Sequence, residues 1–153
     1  MQEDFIASLS TIFDRELTQL EKEINLYPDE ASVWTLQGDI KNSGGTLCLH
    51  LCGNLQHFLG AVLNKNGYIR DREHEFAARA IPRHLLLDEI LKTKETVKQT
   101  LQQLEPEILE QEYPVQVWGY PVTTLFFLIH LAGHLNYHLG QVNYHRRISA
   151  ASV

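Results

Sequence analysis

The stretch Ile129-His130-Leu131-Ala132-Gly133-His134-Leu135-Asn136-Tyr137-His138-Leu139-Gly140-Gln141 spaces three histidines four residues apart in a largely apolar run that reads as one helix. Positions four apart are separated by about 400° of rotation on an α-helix, so His130, His134 and His138 form a slanting stripe whose ends lie about 12 Å apart along the axis. Neighbouring rungs can meet at one point, but all three together would be a strained set. A pair sharing one ligand needs a third group from another helix. The histidines of the apolar second helix, His50 and His57, are the available donors. Seven residues separate them, which places both on nearly the same face but two turns apart.

Outward from this stretch, the apolar periodicity predicts an all-α chain of four long helices forming a single domain over residues 1–153. Ile6, Leu9, Ile12, Phe13, Leu17, Leu20 and Ile24 set the first helix over about residues 3–26, and Pro28 ends it. Residues 27–46 read as a loop anchored by Trp34 and Leu36, with Ser43 or Thr46 as a cap for the next helix. This second helix, from Leu47 through Leu63, is apolar nearly all round and therefore central, with Asn64-Lys65-Asn66-Gly67 as its stop. Residues 68–81 form a charged connection. Pro82 introduces the third helix over 84–104, with Leu86, Leu87, Ile90, Leu91, Val97 and Leu101 toward the core.

Val115-Gln116-Val117-Trp118 alternates weakly and is expected to be extended, and Pro121 suits the first turn of a last helix over 121–147. Five consecutive apolar residues, 125–129, cover more than one face of that helix. Part of this surface is expected to meet a partner subunit, and a homodimer is the favoured assembly. Gly133 and Gly140 each cost about 1 kcal/mol relative to alanine inside a helix. Such glycines are better tolerated where a backbone or ligand approaches closely.

The chain has 153 residues, 44% of them apolar and 21% charged, enough for one core without disulfides. A formal charge of -6 and a pI near 5.7 argue against nucleic acid as a partner, because no basic face is available for phosphates. The acidic start Met1-Gln2-Glu3-Asp4-Phe5 is unlike a signal peptide, and no apolar run approaches the roughly 20 residues of a membrane span. A cytoplasmic protein without a membrane partner is the expectation. In that redox setting Cys48 and Cys52 read as buried free thiols.

A single histidine on an apolar face is ordinarily a hydrogen-bonded core residue, and a pair can be satisfied by carbonyls or water. Several imidazoles on two buried helices are harder to accommodate without a shared purpose, because each carries a desolvation cost. Three neutral imidazoles suit Zn²⁺ or Ni²⁺ and leave coordination positions open for water or substrate. Cys48 and Cys52, each about 200° around the helix from His50, belong to another face. The segment Arg70-Asp71-Arg72-Glu73-His74-Glu75-Phe76 reads as a solvated connection, with its arginines and Glu73 as the alternative candidates for the pocket rim. Tyr137 reads as packing. No catalytic residue outside the histidines is assigned.

Two segments carry a resemblance to a known family: Asn42-Ser43-Gly44-Gly45-Thr46-Leu47-Cys48-Leu49-His50-Leu51-Cys52-Gly53-Asn54 and His134-Leu135-Asn136-Tyr137-His138-Leu139-Gly140-Gln141. With them, nearly the whole chain resembles the DinB-like superfamily. That resemblance implies a four-helix bundle with a divalent metal held near one end by His50, His134 and His138, for which the imidazole set favours zinc or nickel. His57 and His130 then become supporting or packing residues. Relatives often carry arginine where Leu139 stands. They include S-transferases that use low-molecular-weight thiols such as bacillithiol or mycothiol, and metal-dependent isomerases or hydrolases. The resemblance therefore implies a small-molecule substrate, with thiol S-transfer as the first expectation. Metal-dependent hydrolysis and a non-catalytic metal-containing binding or stress-response module are the alternatives.

Overall fold

The computed structural model describes residues 1–151, and among them the chain is all-helical. Its α-helices are α1 Gln2–Asn25, α2 Gly44–Leu55, α3 Arg72–Ala77, α4 Arg83–Gln103 and α5 Thr124–Ala151. Short 3₁₀ turns occupy Ser32–Trp34 and Pro106–Glu110, and α2 runs on as a π-helix over Gln56–Leu63. α1 packs against α4 and α5, while α2 packs against α3, α4 and α5.

α1 buries Leu9, Phe13, Leu17, Leu20 and Ile24 at the expected spacing, and Glu3 and Asp4 in its first turn complement the helix dipole. In the following loop Val33 and Tyr27 are the buried anchors. Trp34 is half-buried and donates its indole N–H to the Ile81 carbonyl at 3.2 Å. Leu36, expected as an anchor, is instead 48% exposed, because the chain has already left the 3₁₀ turn and become extended at Thr35.

Ser43 caps α2 by accepting the Thr46 N–H at 3.1 Å. Every residue of α2 is buried, as its all-round apolar character requires. The helical span Gly44–Leu63 is long and apolar enough to cross a membrane by composition, contrary to the sequence reading. Its burial is that of a core helix. The widened π turn at its end has no counterpart in the apolar pattern, and it is supported by hydroxyls from other elements. Thr100 Oγ1 donates to the Leu59 carbonyl at 3.3 Å and Tyr113 OH to the Phe58 carbonyl at 2.7 Å.

α4 turns Leu86, Ile90, Val97 and Leu101 inward. Leu91 is 52% exposed, since it lies about 100° around the helix from Ile90. Residues 115–118 form a bend followed by a turn at 117–118 rather than an extended segment, and the extended pairing lies beside them as a single bridge between Glu112 and Thr123. That bridge also moves the start of α5 from residue 121 to Thr124. Tyr113 N–H donates to the Val122 carbonyl at 2.9 Å and Thr124 N–H to the Gln111 carbonyl at 2.8 Å, which holds the intervening residues extended. Thr123 then supplies the cap, accepting the Phe126 N–H at 3.2 Å. Within the run 125–129, Phe127 and Leu128 are buried whereas Phe126 and Ile129 face outward. An alanine Cβ at Gly133 or Gly140 would meet nothing within 4 Å, so no close approach within the chain explains either glycine.

Further along α5, His145 is buried with both ring nitrogens engaged. Its Nε2 donates to the Thr35 carbonyl at 2.7 Å, which leaves Nδ1 to accept the Tyr27 hydroxyl at 2.6 Å. This pins α5 to the loop after α1. Cys48 and Cys52 are free and buried.

Candidate metal centre

α2 carries His50 inward at its middle, and α5 brings His134 and His138 to the same point on successive turns. One nitrogen from each of the three lies within 4.8 Å of the others, close enough to bind one metal ion. The Nε2 atoms of His50 and His134 are 3.2 Å apart. Two nitrogens at zinc distances of about 2.0–2.1 Å on a tetrahedral ion are separated by roughly 3.4 Å, so the spacing fits shared ligation.

Hydrogen bonds on the far side of two rings fix which nitrogen faces the gap. His50 Nδ1 lies 3.2 Å from Glu75 Oε1, and a carboxylate there holds the proton on Nδ1 and leaves Nε2 with its lone pair. His138 Nδ1 donates to Gln141 Oε1 at 2.7 Å, with the same effect. Such partners orient metal-binding imidazoles and raise their basicity. His134 Nδ1 is buried without a partner. Two of three ligands therefore have the supporting contact expected of a metal site, and the donor set fits a borderline divalent ion.

Glu75 itself is 4% exposed and accepts two hydrogen bonds from Arg70, from Nε and Nη2, both at 2.8 Å. Room for it comes from Gly53: a Cβ there would lie 2.0 Å from Glu75 Oε2. The carboxyl is held below its ordinary range. Burial alone pushes it up, but the hydrogen bonds and charges of Arg70 and His50 outweigh that. His134 is lowered to about 4, chiefly by burial and then by the neighbouring charges of His138, His50, His130 and Arg70. His138 is also lowered by burial, against the opposing pull of Gln141. Both are thus neutral at physiological pH and ready to donate lone pairs.

The three histidines open into a cavity of about 400 Å³. A larger groove of about 790 Å³ between α1 and α4 has Lys94, Lys98 and Glu95 on its walls but no converging imidazoles. The smaller cavity is the chemically equipped one. His130 lines it, but its ring centre is 6.2 Å from that of His134 and it packs edge-on against Trp118. His57 packs against Phe58 and stands outside the trio.

Sequence reasoning missed the segment that matters most around His50. Residues 70–76 are not a purely solvated connection: α3 begins among them and turns Glu75 inward, while Asp71 caps it by accepting the His74 N–H at 2.8 Å. Glu73 is exposed, and Tyr137, expected to pack, is 66% exposed beside His138. The role of Gln141 also went unread, although its spacing of three residues from His138 is the available signal.

Comparison with known proteins supplies a family without an activity. The family model described as "Protein of unknown function (DUF1572)" matches residues 1–151, and the chain belongs to that family. Among solved structures it is similar to one described as the conserved protein of locus from Enterococcus faecalis. That similarity has a TM-score of 0.74 and 20% identity over 95% of this chain and 96% of that one, a likeness of fold alone. No curated protein matches the chain.

Proposed function

We propose that this member of the DUF1572 family is a DinB-like four-helix bundle, with α3 inserted between its second and third long helices, and that it is a metal-dependent thiol S-transferase. His50, His134 and His138 would hold one zinc or nickel ion. The convergence of these three imidazoles on one point carries the reading.

When bound, such an ion supplies a cationic Lewis acid that lowers the pKa of a thiol or water. The chain's own residues do the rest. Glu75 and Gln141 hold His50 and His138 in the orientation that presents Nε2. Phe58, Phe76 and Phe127 line the cavity and restrict water, which strengthens every polar contact inside it.

The lining favours thiol transfer over hydrolysis. With its nucleophile ionised, thiolate attack on a carbon electrophile needs no further proton transfer, whereas hydrolysis of an ester or amide still needs a proton delivered to the leaving group. Among the described residues no Asp or Glu lines the cavity, and outside the trio and the two arginines the only titratable lining group there is His130. Hydrolysis therefore depends on His130.

Incubating the zinc-loaded protein with low-molecular-weight thiols and an electrophilic acceptor should give turnover that a chelator abolishes and zinc restores. His130→Ala should leave that activity within about threefold, since neutral contacts at a site's edge contribute little. Turnover of esters or amides that His130→Ala eliminates would replace the transferase with the hydrolase. Ligand binding without turnover in either panel would replace both with a non-catalytic binding module.

A further inference from the structure

The cavity over the histidines is cationic although the protein is acidic. The chain carries 19 acidic against 13 basic side chains, yet the charged groups lining this cavity are Arg70 and Arg72. Arg70 is committed to Glu75 through two hydrogen bonds. Arg72 makes no ion pair among the described residues. Its guanidinium carbon lies 5.7 Å from the centre of the Phe76 ring, which is in turn 5.0 Å from the ring centre of His50. An arginine laid over an aromatic face keeps its in-plane N–H fork free for another partner.

A second unmet group stands on α2, one turn beyond His50. Asn54 is 7% exposed and lines the same cavity, and its Oδ1 is buried without a donor. A buried acceptor with no partner is costly to leave so, and its residue stands in the wall of the space where a ligand would lie.

We propose that the cavity selects a small carboxylate-bearing molecule that also carries an N–H or O–H donor. The carboxylate is gripped by Arg72 and the donor is received by Asn54 Oδ1. One planar fork with two parallel N–H groups matches the two oxygens of one carboxylate. A volume of about 400 Å³ lies within the range of small-molecule sites. The inference rests on the metal reading of the same site, because the ligand's third attachment is the ion held by the histidines.

The test measures zinc content first, then titrates three thiols into the zinc-loaded protein by calorimetry: methyl 3-mercaptopropionate, which is neutral and has no N–H or O–H donor, 3-mercaptopropionate and N-acetylcysteine. The carboxylate of 3-mercaptopropionate should tighten binding on the order of tenfold over the neutral thiol, the scale of a charge-assisted hydrogen bond at a partly exposed site. Arg72→Gln should erase that preference while zinc content and methyl 3-mercaptopropionate binding stay unchanged. Asn54→Leu should weaken N-acetylcysteine, which adds an amide N–H, by several-fold and leave 3-mercaptopropionate unaffected. Equal binding of the charged and neutral thiols, or a preference that survives Arg72→Gln, overturns the proposal with the metal site intact. A wild-type protein that takes up no zinc overturns the metal reading itself.

Discussion

Replacing Glu75 with glutamine keeps the shape of the side chain and removes its charge. In the native arrangement the carboxylate faces only donors: Arg70 Nε and Nη2 at 2.8 Å each, and His50 Nδ1 at 3.2 Å. A glutamine amide must turn its NH₂ toward one of them. If it meets Arg70, two donors oppose each other and a guanidinium that is only 13% exposed loses its counter-charge. If it meets His50, the imidazole is driven to the tautomer with its proton on Nε2, the nitrogen that faces His134.

Breaking a buried pair by removing one charge costs about 3 kcal/mol or somewhat more. For a domain of this size each kcal/mol moves Tm by roughly 2–4 °C, so Glu75→Gln should melt about 6–12 °C below the parent. Loss of the supporting carboxylate should also weaken zinc about 10–100-fold. Differential scanning calorimetry of the metal-free protein gives the first quantity, and competition with a chromophoric chelator gives the second. A variant that melts within 2 °C of the parent and binds zinc within threefold of it, both well inside the effects expected, would refute the role assigned to Glu75.

The other supporting contact predicts a narrower effect: Gln141→Leu removes the acceptor for His138 Nδ1 at an exposed position, so zinc affinity should fall about tenfold in the same competition while stability changes by less than about 0.5 kcal/mol. His134, lowered to about 4 and neutral when folded, makes the unfolded chain the better proton binder between roughly pH 6.5 and 4. Urea unfolding of the metal-free protein should therefore show stability lost as pH falls through that window, by up to about 3 kcal/mol from this group, and His134→Gln should flatten that part of the profile. Tyr27→Phe leaves the buried His145 Nδ1 without its 2.6 Å donor and should cost about 1–3 kcal/mol in the same assay. Zinc affinity should be untouched by it, because His145 lies about 10 Å along α5 from His138.

The all-helical fold was legible because apolar residues recur with a helical period and proline or asparagine-glycine signals close the segments. α1 and α4 fall within a residue of their expected limits at each end. The start of α5 was not legible, because it depends on backbone bonds from Gln111 and Tyr113, partners that no local rule for Pro121 can anticipate. Nor was the π turn, which needs the hydroxyls of Thr100 and Tyr113 from other elements.

At the candidate site, spacing alone left two pairs on the last helix and two donors on the second. The family resemblance narrowed these to His50, His134 and His138, which the structure brings together. Glu75 escaped notice because a segment dense in charge reads as solvated, and α3 is too short to show a period. Its burial becomes intelligible only with Gly53 beneath it and Arg70 beside it.

The central claim is that His50, His134 and His138 together hold one divalent ion. X-ray absorption at the zinc edge, on protein loaded with one equivalent of zinc, addresses it directly. A shell of three imidazole nitrogens at about 2.0–2.1 Å, completed by a light atom from solvent, is expected. A sulfur shell at about 2.3 Å, which would point to Cys48 or Cys52, or a shell with fewer than two imidazoles, would contradict it.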